Sequence, residues 1–539
     1  MTDTTTAPEP APDAGETPAS PYAWYVLGVL VLVYVLNFVD RQIITILAPD
    51  IKRDLGLNDA DIGFLYGTAF AVFYALFGIP LGRLADSWSR IRLLTIGLGL
   101  WSAMTAASGF ARSGVTLGVA RMGVGIGEAT ASPSAYSLIS DLFPKGKRGT
   151  ALAIYSSGLY VGGGVSLMIG GGVVQAWNNA YPGGGPLGLA GWQAAFLAVG
   201  LPGLLLALWV STLREPIRGL IDGLRTPPAE HPFRDFGTEL FAVIPPFTLV
   251  TAARRGMSAL AVNLLAGGLL TAAAVGLILL TGGSLDRFAG STLQWTCIAF
   301  GYYAIFSWVT SLRVRDRPTF ALIWGSPAFL CTILGYGCVS FLSYASTAFA
   351  PVFAQDVLGA SAVVTGAWVG GFGALGGFLG VIMGGRMSDA LLRRNGGGRI
   401  LVVVFGLIAP TLPIWLAFST VSAPGDNDFI HFVILASLAN MLASSALGAA
   451  AATTQDLVLP RMRGAATATF FLATTLVGLA LGPYLAGYVS ATTGSLATGV
   501  KSVLLIVPIG LALLAAAYRL VPLAARSVVE RARAAGEPI

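Results

Sequence analysis

Asp40, Arg41, Arg121 and Glu128 are ionisable residues set in otherwise apolar sequence. Asp40 and Arg41 are neighbours in VLNFVDRQIITIL, while Arg121 and Glu128 stand seven residues, about two helical turns, apart in VARMGVGIGEATAS. Two carboxylates and two guanidinium groups can bind protons, bind an anion, or bind one another. A carboxylate takes up and releases protons, and arginine offers a planar fork that matches phosphate and carboxylate groups. Inside a bilayer each such residue costs roughly 2.5–3.5 kcal/mol on insertion scales, so it needs a watery cavity or a partner.

The composition requires a bilayer. The chain has 539 residues, 55% hydrophobic and 11% charged, with a mean hydropathy of +0.75. Soluble domains carry about 25% charged residues. Crossing a bilayer as a helix takes about 20 apolar residues, and fourteen runs qualify: 23–46, 62–82, 93–111, 115–141, 149–176, 191–213, 258–282, 291–312, 320–350, 362–387, 400–419, 429–455, 464–490 and 500–522. An even number of crossings places both termini on one side. With the termini in the cytoplasm, 25 of the 32 Lys and Arg residues fall on that side, counting those at the cytoplasmic ends of runs, and five on the other, leaving Arg41 and Arg121 well inside spans. This bias predicts cytoplasmic termini. The net charge of +6 then serves contact with anionic membrane lipids, and nucleic acid is not expected as a partner.

Given that topology, Asp40 and Arg41 lie about six residues before the outer end of the first span, and Arg121 about six residues after the outer start of the fourth. Both sites are therefore about 9 Å deep at 1.5 Å per residue. Glu128 lies about 10 Å deeper on the face of Arg121. The expected arrangement pairs Asp40 with Arg121 and brings Arg41 or Arg121 to Glu128, lining a water-filled cavity. The alternative is a static ion-pair cluster locking two helices together, although buried pairs often add little stability.

The chain also repeats itself. GRLADSWSRIR from Gly82 returns as GRMSDALLRR from Gly385, aligning Asp86 and Arg90 with Asp389 and Arg393. DLFPKGKRGTA from Asp141 returns as DLVLPRMRGAA from Asp456. Spans 1–6 thus recur as spans 9–14, and the runs at 258–282 and 291–312 form an inserted hairpin. The expected fold is all-α: two pseudo-symmetric six-helix bundles plus a hairpin, fourteen transmembrane helices in all. The expected divisions are a disordered tail (1–21), an N-terminal bundle (22–215), a linker with the hairpin (216–319), a C-terminal bundle (320–522) and a second tail (523–539). Parallel repeats of this kind suit a rocking transporter.

The G-x-x-x-D-x-x-x-R loop resembles the signature of the major facilitator superfamily, although Ser87 and Ser89 stand where that pattern usually has a basic residue and a glycine. The resemblance implies a cytoplasmic latch made of Gly82, Asp86, Arg90, Arg92, Gly385, Asp389 and Arg393. Asp86 would face the positive N-terminal end of the helix starting near Gly464, and Asp389 the helix starting near Gly149. A helix cap within a basic loop is the plainer reading. NFVDR, together with RMGVGIGEATASPSAYSLISDLFP, resembles the Spinster family of lipid transporters through Asn37, Asp40, Arg41, Arg121, Gly125, Gly127, Glu128 and Pro133. That resemblance implies transport of sphingosine-phosphate or lysophospholipid-type anions, with Asp40 and Glu128 carrying protons and Arg41 and Arg121 holding the headgroup.

Further lining is expected from Tyr66, Phe70, Tyr74, Tyr155 and Tyr160 in the first half and from Tyr336, Ser340, Tyr344, Asn440 and Ser444 in the second. The central spans of the second half contain no ionised residue, which favours a ligand with a charged head and an apolar body. The glycine runs lack the preceding strand of a nucleotide site. Two separated histidines and three cysteines make no catalytic, metal or disulfide framework. No cofactor is expected, and the chain is expected to act as a monomer in a bacterial inner membrane. The expected function is proton-coupled transport of an anionic amphipathic lipid. The alternatives are a carrier of small organic anions or, in another class, an integral membrane lipid enzyme or receptor.

Overall fold

The computed structural model describes residues 20–182, 184–218, 231–282, 290–420 and 427–538. The N-terminal tail expected over 1–21 lies almost wholly outside them. Thirteen helices among the described residues are long and apolar enough to cross a membrane. They are α1 (Pro21–Leu55), α2 (Asp59–Ser87), α3 (Arg90–Ser108), α5 (Thr150–Ala180), α6 (Gly191–Ser211), α7 (Met257–Leu280), α8 (Ser291–Arg315), α9 (Pro327–Asp356), α10 (Ala362–Arg394), α11 (Gly398–Ala417), α12 (Asp428–Asp456), α13 (Pro460–Thr493) and α14 (Leu496–Arg526). The remaining run, α4, is two shorter helices, Gly114–Glu128 and Ala131–Leu142, and the break directly follows Glu128. The linker is helical as well: Pro232–Val243 and Phe247–Arg255 meet at 95°.

Local chemistry sets the helix boundaries. Ser20 caps α1 by accepting from the Ala23 N–H, and Pro21 occupies the first turn, where no N–H is needed. α1 stops at Gly56, whose φ of +65° favours glycine. Ser113 caps α4 in the same way as Ser20. Two glycines draw α4 against its neighbours. A Cβ on Gly125 would fall 2.5 Å from the Phe70 carbonyl oxygen, and one on Gly127 would fall 2.7 Å from the Trp101 nitrogen. The backbone carrying Arg121 and Glu128 therefore lies directly on α2 and α3.

At the end of the bundle away from the chain termini, the two halves touch. Lys52 of the first half bridges Asp59 (2.9 Å) and Asp356 of the second half (2.8 Å). Ser490 donates to Asp59 (2.6 Å), and Gln355 donates to the Ile46 carbonyl (3.1 Å). At the end that bears the termini, Gly82, Gly385, Gly448 and Gly464 all face open space.

The seams between the halves carry π-helical turns: Phe64–Thr68 in α2 and Thr474–Leu479 in α13 along one seam, and Gly366–Gly370 in α10, against α5, along the other. Glycine lets the backbones meet there. A Cβ on Gly67 would fall 2.4 Å from the Leu479 oxygen, and one on Gly164 2.8 Å from the Gly370 oxygen.

Candidate functional site

A cavity of about 260 Å³ lies between the halves. Arg41 is the only charged residue among those lining it. Its Nη2 donates to Glu128 Oε2 at 2.7 Å and, more weakly, to Asn37 at 3.4 Å. Its guanidinium carbon lies 4.4 Å from the centre of the Phe70 ring, 4.7 Å from Phe38 and 5.2 Å from Tyr74. Each such contact is worth about 0.5–2 kcal/mol. The cation is thus fixed by one carboxylate and three rings, with its Nη1 making no hydrogen bond to the described residues.

Of the expected lining residues, Asn37, Arg41, Phe70, Tyr74, Tyr160, Tyr336, Ser340, Tyr344, Asn440 and Ser444 reach the cavity wall. Asn440 also donates to the Gly373 carbonyl at 2.7 Å. Tyr66 and Tyr155 do not reach it; both are buried, and Tyr155 stacks on Tyr34 with ring centres 4.3 Å apart. The structure adds Tyr34, Phe38, Gln42 and Thr45 to the wall. The run 34, 38, 41, 45 is one face of a helix, so a search by three- and four-residue steps from Arg41 finds most of them.

The remaining ions are arranged differently from the expectation. Arg121 is fully buried and donates to the backbone carbonyl of Asp40 (2.9 Å) and, at 3.4 Å, to that of Arg41. It braces α1 and is absent from the cavity wall. The Asp40 carboxyl is fully buried beside Trp101 and Thr105, and neither of its oxygens accepts a hydrogen bond of ordinary geometry. Helix geometry accounts for this, since adjacent residues point about 100° apart and Asp40 cannot share the face of Arg41.

The loop pair near the termini is also unequal. Arg90 is buried and pairs with Asp141 and with Glu215 (Nε to Oε1, 2.7 Å), and Glu215 also accepts from the Ile91 N–H at 2.9 Å. The side chains of Asp86, Arg92, Asp389 and Arg393 are exposed. No hydrogen bond or ion pair joins Asp86 to the helix at Gly464 among the described residues, and Gly82 and Gly385 face open space. The latch expected there is not engaged in this conformation. Gly149 lies outside the residues whose side chains are described, so the Asp389 contact expected near it cannot be placed. No group of three or more His, Cys, Asp or Glu among the described residues could hold a metal ion.

Two repeat-related six-helix halves around a cavity are the architecture of a secondary transporter. Residues 30–425 match the model of the Major Facilitator Superfamily, and the chain belongs to that superfamily. It is 28% identical over 469 residues to an MFS-type efflux pump of Mycolicibacterium smegmatis, covering 87% of this chain and 84% of that one. It is 28% identical over 200 residues to protein spinster of Drosophila melanogaster, covering 37% of this chain and 31% of that protein. Among solved structures, a bacterial homologue of the human lysosomal transporter Spinster, in an inward-facing and occupied conformation, matches with a TM-score of 0.63 and 25% identity, over 95% of this chain and 99% of that one. The protein is therefore a multi-pass membrane transporter related to Spinster.

Proposed function

We propose that the protein is a proton-coupled transporter of an anionic amphipathic lipid of the lysophospholipid or sphingosine-phosphate type. It would sit in a bacterial inner membrane with both termini cytoplasmic, so that the conformation described opens inward. The observation that carries this reading is the wall itself: one cation, Arg41, in a cavity otherwise lined by aromatic, aliphatic and neutral polar side chains. An anionic headgroup satisfies the guanidinium, and an acyl chain lies against the rings.

Coupling follows from competition for one guanidinium. Glu128 and an arriving phosphate both need Arg41. A carboxylate that loses its counter-ion binds a proton more readily, so anion and proton are taken up together. Asp40 is the second proton carrier in this reading, with Arg121 holding its backbone in place.

The test is uptake of a panel of lysolipids and small organic anions into proteoliposomes under an imposed pH gradient. Lysolipid uptake that follows the gradient, and its loss in Asp40→Asn, are expected. Uptake of organic anions alone would replace the cargo, and full gradient-driven uptake by Asp40→Asn would remove that residue from the proton path.

A further inference from the structure

The seam between α2 and α13 and the seam between α5 and α10 are equivalents under the internal repeat, yet the inserted hairpin packs over the first. Two kinds of contact hold it there. Toward the C-terminal half the contacts include directional polar ones. The buried Gln294 donates from Nε2 to the Ala480 carbonyl of α13 at 3.2 Å, and Trp295 meets Tyr484 edge-on at 5.6 Å. Asp316, which continues α8 toward α9, pairs with Arg461 at the foot of α13 at 3.0 Å. Toward α2 of the N-terminal half, Phe300 stacks on Phe73 at 6.4 Å, and Gly301 lies against Val72 of α2 as well as Leu476 of α13; the polar tie on this side is to the linker, where Glu239 pairs with Arg315 at 2.7 Å.

The Ala480 oxygen is shared. It also accepts from Thr68 Oγ1 of α2, at 2.7 Å. When the halves part, Thr68 leaves with α2. In hydrocarbon an unpaired carbonyl is costly, and Gln294 keeps this one paired. Directional bonds to the C-terminal half, with carbon contacts to α2, describe a surface that stays with the C-terminal half and slides over α2.

We infer that the hairpin is a wall travelling with the C-terminal half, which keeps bilayer lipid out of the α2–α13 seam as that seam opens and leaves the α5–α10 seam as the face open to the membrane. The inference deepens the lipid-transport reading by giving the cargo's apolar body one side from which to enter. The uncovered seam already reaches the cavity, because Gly163, Gly164 and Leu167 of α5 and Gly370, Gly373 and Ala374 of α10 line it. The exposed Trp368 and Phe372 of α10 lie beside that seam.

The test is thiol labelling in proteoliposomes by a membrane-soluble maleimide, in a chain whose Cys297, Cys331 and Cys338 are replaced by serine. Single cysteines report the two seams: Leu167→Cys for the uncovered one, and Leu476→Cys, with Val72→Cys as a second position, for the covered one. All three are buried in the conformation described, and because Leu167 also lines the cavity, its labelling counts as seam opening when a membrane-impermeant maleimide leaves it unlabelled. Labelling of Leu167→Cys with both covered positions protected is the expected result, and any other pattern overturns the inference. The readout needs no cargo. If lysolipid uptake fails while the contrast stands, the cargo reading falls and the wall remains; uptake with labelling at both seams does the reverse.

Discussion

The two walls of the cavity come from equivalent positions of the internal repeat and differ in charge. The register that aligns Gly82 with Gly385 aligns Arg41 with Tyr344 and Asn37 with Ser340, and all four of these line the cavity. The register that aligns Asp141 with Asp456 aligns Arg121 with Ala436 and Glu128 with Ala443, and both alanines line the cavity. One fold unit, used twice, thus presents a buried ion network on one side and a phenol with two methyl groups on the other. The lesson is a division of labour. The helix scaffold is kept in both halves, and the buried ions are confined to the first, where a single cation at the cavity wall is pinned by a carboxylate behind it.

Substitutions can break that contrast, and the largest effect is expected at Glu128. Glu128→Gln removes the counter-ion of Arg41 and one proposed proton site together, so gradient-driven uptake should disappear and thermal stability should fall. Full uptake by this variant would sink the coupling scheme. Arg41→Ala comes next. Hydrogen bonds to charged groups contribute about 1.5–3 kcal/mol, so affinity for a phosphorylated lysolipid should drop about 10- to 100-fold, while a neutral analogue loses less. Equal losses in a binding titration would mean that the headgroup is recognised elsewhere.

The same inequality extends to the loops, where Arg90 is buried in a network and its counterpart Arg393 is exposed. Although partial burial acts against it, the Ile91 N–H and the Arg90 side chain hold the Glu215 carboxyl below its ordinary range. A depressed carboxyl stabilises the fold above its unfolded-state value of about 4.3, and that stability is lost as pH falls through the lower folded-state value. Glu215→Gln should therefore lower the melting temperature at neutral pH and flatten its decline below pH of about 4. An unchanged acid profile would show that the network adds nothing to the first half. The smallest effect belongs to the neutral wall. Asn440→Ala removes one hydrogen bond, to the Gly373 carbonyl, worth about 0.5–1.5 kcal/mol, and should weaken charged and neutral ligands alike by a few-fold. A loss confined to charged ligands would shift part of the headgroup site to the second half.

Much of this was legible in the sequence. Membrane insertion is decided by local hydropathy, so the spans could be read from windows of about 20 residues, and the repeated loop motifs exposed the two halves. The four ions stood out because hydrocarbon makes them costly. The orientation of each ion was harder to read. Depth arithmetic brought Asp40 level with Arg121, but it carries no azimuth, and Arg121 took the backbone carbonyl where the carboxylate had been expected. Azimuth could have been drawn from the helical wheel, which separates Asp40 from Arg41. The choice of a carbonyl over a carboxylate could not, because it depends on how closely Gly125 and Gly127 let α4 approach α2 and α3.

By itself, the order of residues determined that this chain spans a membrane as two related halves and that its charge is stranded in the first, since both follow from transfer energies and repetition along the chain. The tertiary structure alone decided which ion meets the cavity and which is sealed behind it. Those outcomes rest on contacts between helices distant in sequence, where fractions of an ångström at a glycine settle which donor reaches which oxygen.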